Sequence, residues 1–142
     1  MPARNLLTDC LADPRGLAGL DSGDWDRLLP QARETQMLAT LWDLLQEWGH
    51  TETAPEAVRY QLWGAWLLAR RRATAIEWEL RCLASELPDF RGVRPVLLKG
   101  VAYIVGDLPG ARSRLCGDID LLVPSAAIDR AERILYWSGW SR

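Results

Sequence analysis

A long apolar stripe at helical spacing constrains the fold of this chain more than any other feature of its sequence. From Val58 to Leu87, apolar residues follow one another at intervals of three or four. A helix brings such positions onto one face, so the pattern predicts a continuous helix over residues 55–87 that packs against the other N-terminal helices. Thr53 and Glu56 stand on either side of Pro55 in the form of a capping box, which predicts where this helix begins. The stripe comprises Val58, Leu62, Trp66, Ala69, Ala73, Ile76, Leu80, Leu83 and Leu87.

The residues before this helix are predicted to be helical as well. A short helix is expected over residues 3–12, and Asp21 and Asp24 offer N-caps for a second one. Pro30 is expected to break or kink the second helix, because proline lacks the N–H that a helix interior uses. A third helix then runs up to Gly49, a typical helix-ending residue.

The aromatic and basic side chains of these helices have ordinary structural explanations. Most of the tryptophans stand at apolar helical positions, which favours core packing over an aromatic binding box. Arg70, Arg71 and Arg72 are expected on a solvated face of the long helix, with the stem of one of them turned inward. The tryptophans concerned are Trp25, Trp42, Trp48, Trp63, Trp66 and Trp78.

After residue 92 the pattern changes to short strands and loops, which predicts an α+β fold. Residues 1–92 are expected to form a helical N-terminal region, packed on a small mixed β-sheet with flanking helices in residues 93–142. The elements expected in the second part are a strand at 95–98, a helix at 101–105, a loop at 106–117, a strand at 118–123 that Pro124 ends, and a last helix capped by Ser125.

Composition excludes several classes of function. The chain has 142 residues, 49% of them hydrophobic, with a net charge of only -2, so it can bury an ordinary core but offers no basic surface for a nucleic acid. No apolar run is long enough for a membrane span and no secretory leader is visible, so a cytoplasmic protein is expected. Three separated cysteines and the single His50 indicate neither a disulfide framework nor a zinc site.

Two carboxylates in the second predicted strand point to metal chemistry. Asp118 and Asp120 are two residues apart, so a strand places both on one face, about 6.5 to 7 Å apart. Carboxylates at this separation can lean onto divalent ions spaced about 3.5 to 4 Å apart, as in phosphoryl and nucleotidyl transfer. The pattern Asp-x-Asp alone is only moderately specific, because it also occurs in turns and at solvated strand edges.

A turn before these carboxylates has the features of a phosphate site. Lys99 is the only lysine of the chain, and with Gly100 it follows an apolar strand and precedes a helix. Free backbone N–H groups at a helix start and an ammonium group can together hold phosphate oxygens. Arg112 and Arg114 add guanidinium groups, which bind two phosphate oxygens at once, just before the carboxylates.

Together, residues 97–102 (LLKGVA), Arg114 and residues 117–123 (GDIDLLV) resemble the bacterial uncharacterised nucleotidyltransferase family of the DNA polymerase β superfamily. This resemblance implies Asp118 and Asp120 as catalytic, metal-binding carboxylates for Mg²⁺ or Mn²⁺. It implies an NTP substrate held by Lys99, Gly100, Arg114 and Gly117. The superfamily has a third carboxylate on a later strand, for which Asp129 and Glu132 are poor substitutes, so we expect this sequence to cover only the first part of the fold.

Three functions are compatible with the sequence. The first is a metal-dependent nucleotidyltransferase. Its acceptor is unknown and could be a small molecule, a peptide or a protein. We expect this enzyme to be incomplete without a further segment, a second copy or a partner chain. The second is a non-catalytic nucleotide-binding or protein-interaction module on the same fold. The third is a helical adaptor that binds proteins through its tryptophans, which leaves Asp118 and Asp120 unexplained.

Overall fold

The computed structural model describes residues 5–86 and 95–140 and confirms the α+β class. Short 3-10 turns cover Pro14–Gly19, Thr51–Thr53, Ala111–Ser113 and Ser125–Ala127. The helices and strands are α1 (Leu6–Ala12), α2 (Ser22–Glu34), α3 (Leu38–Glu47), α4 (Glu56–Glu86), β1 (Val96–Leu98), α5 (Lys99–Val105), β2 (Asp120–Leu122) and α6 (Ile128–Trp137). Within the described ranges, no helix is long and apolar enough to cross a membrane.

The chain divides into two compact units. The first contains the described residues up to Arg71 together with residues 112–115, and the second contains the rest of the described chain. The helix α4 contributes residues to both units. The domain boundary predicted between residues 92 and 93 lies outside the described residues and stays a prediction, as does the place of Leu87 in the stripe.

The first unit is a helical bundle with an apolar core. Asp21 caps α2 through a reciprocal pair of hydrogen bonds with Asp24, as its position suggested. At the centre of the core, Trp25, Leu41 and Leu62 are almost completely buried. The core comprises Leu7, Cys10, Leu17, Trp25, Leu28, Ala32, Leu41, Trp42, Leu45, Ala54, Val58 and Leu62.

Two local features of this unit differ from the prediction. Pro30 does not break α2, which continues to Glu34, and the chain instead turns at Gln36 with a left-handed φ of 60°. The N–H of Met37 donates to the carbonyl of Ala32 across this turn, so the helix end is satisfied there. The hydroxyl of Thr53 donates to the carbonyl of His50 within a 3-10 turn, so Thr53 belongs to the connection before α4 and does not act as its capping box.

The second unit has a smaller core around a two-stranded sheet. The strands β1 and β2 pair antiparallel, with Val96 opposite Leu122, Leu97 opposite Leu121 and Leu98 opposite Asp120. No further strand joins them in the ranges that the structure covers, where a mixed sheet was expected. The core comprises Ala73, Ile76, Val101, Ile104, Ala111 and Cys116, with Leu80, Leu97 and Ile119 packed against it.

The apolar stripe of α4 is confirmed as buried, but its partners differ from the prediction. Val58 and Leu62 pack in the core of the first unit, whereas Ala73 and Ile76 pack in that of the second. The stripe therefore serves two cores, because the same spacing continues while the elements packed against it change. Leu80 is only partly buried.

The tryptophans are less buried than predicted. Trp25 and Trp42 lie in the core, and the half-buried Trp66 donates its Nε1–H to Asp43 Oδ1 at 2.6 Å. Trp48, Trp63 and Trp78 are exposed, because apolar type alone does not place a residue on the buried face of a helix.

The predicted cap of the last helix is also absent. Ser125 lies in a 3-10 turn and α6 begins at Ile128 without a side-chain cap. Gly139 ends this helix as expected, with a left-handed φ of 85°.

Candidate functional site

The register of the two strands brings Lys99 next to Asp120. Leu98, the last residue of β1, pairs with Asp120, the first residue of β2, and Lys99 follows directly. The Nζ atom of Lys99 lies 3.1 Å from Oδ2 of Asp120 and 3.2 Å from Oδ1. The side chain of Lys99 is 72% exposed and that of Asp120 is 31% exposed. The predicted phosphate-binding ammonium and one predicted metal-binding carboxylate therefore form a single site that solvent can reach.

The backbone of Lys99 is unusual for a lysine. Its φ of 54° lies in the left-handed region, where a Cβ crowds the following carbonyl and costs about 1–2 kcal/mol. Sparsely populated backbone conformations of this kind occur often at binding and catalytic sites. No side chain caps the N-terminus of α5, so its first N–H groups have no side-chain acceptor.

Gly100 lies at a close approach between α5 and the segment that leads to β2. A Cβ on Gly100 would come within 2.9 Å of the Sγ atom of Cys116, which is closer than ordinary van der Waals contact. The Sγ atom of Cys116 lies 3.5 Å from the carbonyl oxygen of Asp118. Gly100 therefore allows the lysine turn to pack directly against the side chain of Cys116, which lies beside the carbonyl of Asp118.

Asp118 lies just before β2, whose first residue is Asp120. The predicted strand over 118–123 is thus shorter in the structure. Ile119, between the two carboxylates, packs against the core of the second unit. Since successive residues of an extended chain point to opposite sides, this packing favours a shared, outward face for Asp118 and Asp120.

Arg72 is exposed on α4, as expected, and its guanidinium group contacts this segment. Its Nε–H donates to the carbonyl of Cys116 at 3.1 Å, and its Nη2 donates to the carbonyl of Gly117 at 2.7 Å. Gly117, a predicted nucleotide-binding residue, directly precedes Asp118, and its carbonyl accepts one of these two hydrogen bonds. Three adjacent arginines gave no sequence signal that one of them makes this contact.

Arg114 is exposed and belongs to residues 112–115, which are part of the first unit. Its role in phosphate binding stays a prediction. Asp129 lies in α6, and so does Glu132, as expected for residues that do not complete the carboxylate pair.

Asp118 and Asp120 are a suitable pair of ligands for a metal ion that binds together with a nucleotide. In the part of the chain that the structure describes, no group of three or more His, Cys, Asp and Glu side chains could hold a metal ion by itself. Mg²⁺, however, is commonly bound by one or two carboxylates together with the phosphates of a nucleotide. The two carboxylates fit this second arrangement.

Within residues 5–86 and 95–140, the imidazole of His50 makes no hydrogen bond to a cysteine thiol. His50 lies in the connection between α3 and α4, where its carbonyl accepts hydrogen bonds from Thr53. Burial raises the pKa of the Cys10 thiol, and the nearby charges of Asp9 and Asp24 raise it further. A raised pKa lowers the thiolate fraction, so Cys10 is a poor nucleophile.

Comparison with known proteins gives one match. The family model described as "Uncharacterised nucleotidyltransferase" matches residues 21–142. Neither a curated protein nor a solved structure matches this chain. The matched range includes Lys99, Asp118 and Asp120.

Proposed function

Because this chain belongs to the uncharacterised nucleotidyltransferase family, we propose that it moves a nucleoside monophosphate from an NTP to an acceptor in a reaction that depends on Mg²⁺ or Mn²⁺. The observation that carries this proposal is the pairing of Lys99 with Asp120, two residues after Asp118. A cation for phosphate and carboxylates for a metal ion thereby meet at the start of one short strand.

The two carboxylates and the lysine have distinct roles in this proposal. Asp118 and Asp120 hold the divalent ion, which neutralises charge on the phosphates of the bound nucleotide. Lys99 exchanges its contact with Asp120 for a phosphate oxygen of the NTP. Both groups are accessible, and an exposed ion pair contributes only about 0–1 kcal/mol, so this exchange costs little.

The reaction forms one bond and breaks another at the same phosphorus atom. A hydroxyl or amine of the acceptor attacks the α-phosphorus, the bond to the bridging oxygen breaks, pyrophosphate leaves and the acceptor proton passes to solvent. In this proposal Gly100 and Gly117 bind the phosphates through their backbone, and Arg114 binds them through its guanidinium group. The acceptor is a small molecule, a peptide or a protein.

We also propose a superfamily and a cellular location for this chain. We place the chain in the DNA polymerase β superfamily, in the bacterial cytoplasm where NTPs and Mg²⁺ are both present.

A non-catalytic nucleotide-binding module is the second candidate. It is favoured by one observation, that no third acidic, histidine or cysteine ligand joins Asp118 and Asp120 among the residues described. Such a module binds NTP and metal ion without releasing pyrophosphate.

Labelled nucleotides distinguish the two candidates. The chain is incubated with Mg²⁺ or Mn²⁺, pooled acceptors and each NTP, labelled at either the α- or the γ-phosphate. A nucleotidyltransferase transfers the α-label only and releases pyrophosphate, and the double variant Asp118→Asn with Asp120→Asn does neither. Transfer of the γ-label, or equal transfer by the variant, would contradict the proposed reaction, and binding without pyrophosphate release would favour the second candidate.

A further inference from the structure

Arg72 reaches from α4 to two successive backbone carbonyls that directly precede Asp118. The donors are Nε and Nη2, and the acceptors are the carbonyls of Cys116 and Gly117, at 3.1 Å and 2.7 Å. The guanidinium group is a planar fork with adjacent N–H groups, which allows one side chain to bind two neighbouring oxygens. Lysine has the same charge but lacks this fork.

These carbonyls have no partner strand to bind them. Pairing between β1 and β2 begins at Leu98 and Asp120, and residues 115–119 form no helix or strand. A backbone segment without a ladder depends on side chains for its conformation. Arg72 therefore links the backbone before Asp118 to the long helix through two hydrogen bonds.

The same segment is held from its other side by α5. The close approach of Gly100 to Cys116 leaves the Sγ atom beside the carbonyl of Asp118, at 3.5 Å. Ala73 and Ile76, which follow Arg72 on α4, are buried in the core that also contains Cys116. The part of α4 that directly follows Arg72 is thus fixed by packing, and the segment contacts both α4 and α5.

We propose that Arg72 is a positioning residue for the carboxylate pair. It fixes the backbone of residues 116–118 so that Asp118 faces the metal ion together with Asp120. This inference rests on the proposed function, because it assigns Arg72 to the metal and nucleotide site through Asp118. Arg72 itself contacts neither reacting group.

The neighbouring arginines provide matched controls. The guanidinium of Arg70 lies 4.9 Å from the ring centroid of Trp66, so Arg70 is occupied within the first unit. Arg71 is exposed and makes no hydrogen bond to any residue that the structure describes. Arg71→Ala therefore removes the same charge from the same helix without touching the segment before Asp118.

The test combines hydrogen exchange with metal binding in wild type, Arg72→Ala, Arg72→Lys and Arg71→Ala. Amide exchange of peptides covering residues 114–120 is expected to accelerate at least tenfold in Arg72→Ala, less in Arg72→Lys and not at all in Arg71→Ala. Mn²⁺ affinity in the presence of ATP is expected to fall at least tenfold in Arg72→Ala. In an Asp118→Asn background, Arg72→Ala should cause no further loss of Mn²⁺ affinity, because the residue acts through Asp118.

Several results would overturn this inference. Equal exchange of residues 114–120 in Arg72→Ala and wild type would do so, and so would exchange that accelerates equally throughout α4. An unchanged Mn²⁺ affinity in Arg72→Ala, with binding lost in Asp118→Asn, would remove Arg72 from the site while leaving the proposed function intact. Wild type that binds no Mn²⁺ with ATP would refute the proposed function, and the exchange measurement alone would then decide whether Arg72 fixes this backbone. If Arg72→Ala does not fold, Arg72→Lys provides the same comparisons.

Discussion

At the scale of single residues, the site depends on side chains placed where local backbone preferences argue against them. Lys99 adopts a φ of 54°, in a region that glycine adopts without strain. This lysine is the only one in the chain, and its ammonium group lies against Asp120. The strained φ of Lys99, together with its contact to Asp120, supports the proposed role of its side chain in binding.

Substitution of Lys99 should separate its role in binding from its cost in stability. Lys99→Ala and Lys99→Gly are both expected to weaken NTP binding at least tenfold, about 1.4 kcal/mol. Lys99→Gly should unfold with a free energy about 1 kcal/mol higher than Lys99→Ala, because glycine relieves the strained φ. Nucleotide titration and chemical denaturation measure the two effects. Unaltered affinity in both variants for every NTP tested would contradict a role for Lys99 in nucleotide binding.

Two glycines should respond to alanine with opposite signs. In α4, a Cβ on Gly64 would meet nothing within 4 Å, so Gly64→Ala should stabilise the protein by about 1 kcal/mol through helix propensity. Gly100→Ala should destabilise by about 1–3 kcal/mol, because its Cβ would meet Cys116 Sγ. Urea denaturation measures both changes. The cost of Gly100→Ala should shrink in a Cys116→Ala background, and an undiminished cost there would contradict the proposed steric cause.

At the scale of elements, the helix α4 was predicted correctly, but the partners that pack against it were not. Spacing of three and four residues correctly predicts one continuous helix with a buried face. The same spacing cannot reveal that the partners of that face change near Arg71 and Arg72, because both cores require only apolar side chains. For the same reason, periodicity could not distinguish Arg72 from its neighbours, since its carbonyl partners are 44 and 45 residues away.

The second core should be as sensitive to truncation as an ordinary protein interior. Ile76 is 0% exposed, and Ile76→Ala is expected to cost about 2–5 kcal/mol. Trp78, two residues further along α4, is 64% exposed, and Trp78→Ala should change stability by no more than about 0.5 kcal/mol. Thermal or urea unfolding compares the two variants. A larger effect for Trp78→Ala than for Ile76→Ala would show that the buried face of α4 is misassigned.

At the scale of the whole molecule, the α+β class and the existence of most elements could be predicted from the sequence. Helix ends were less predictable, because α2 continues past Pro30 and the chain turns at Gln36. The two carboxylates and the lysine could be proposed as one site from residue types and order. The contact between Lys99 and Asp120 could not be predicted, since it depends on the register that pairs Leu98 with Asp120.

Membership of a nucleotidyltransferase family and the geometry of the second unit point to the same central claim. We propose that Asp118 and Asp120 together bind a divalent metal ion in the presence of an NTP. A suitable control removes two negative charges elsewhere, at the exposed Asp26 and Asp129.

Titration of Mn²⁺ in the presence of ATP, followed by the electron paramagnetic resonance signal of free Mn²⁺, tests this claim most directly. We predict that wild type and the double variant Asp26→Asn with Asp129→Asn bind Mn²⁺ equally well. The double variant Asp118→Asn with Asp120→Asn should lose at least tenfold in affinity, about 1.4 kcal/mol or more. Equal binding by all three proteins, or an equal loss in both double variants, would contradict the assignment of Asp118 and Asp120 as the metal site.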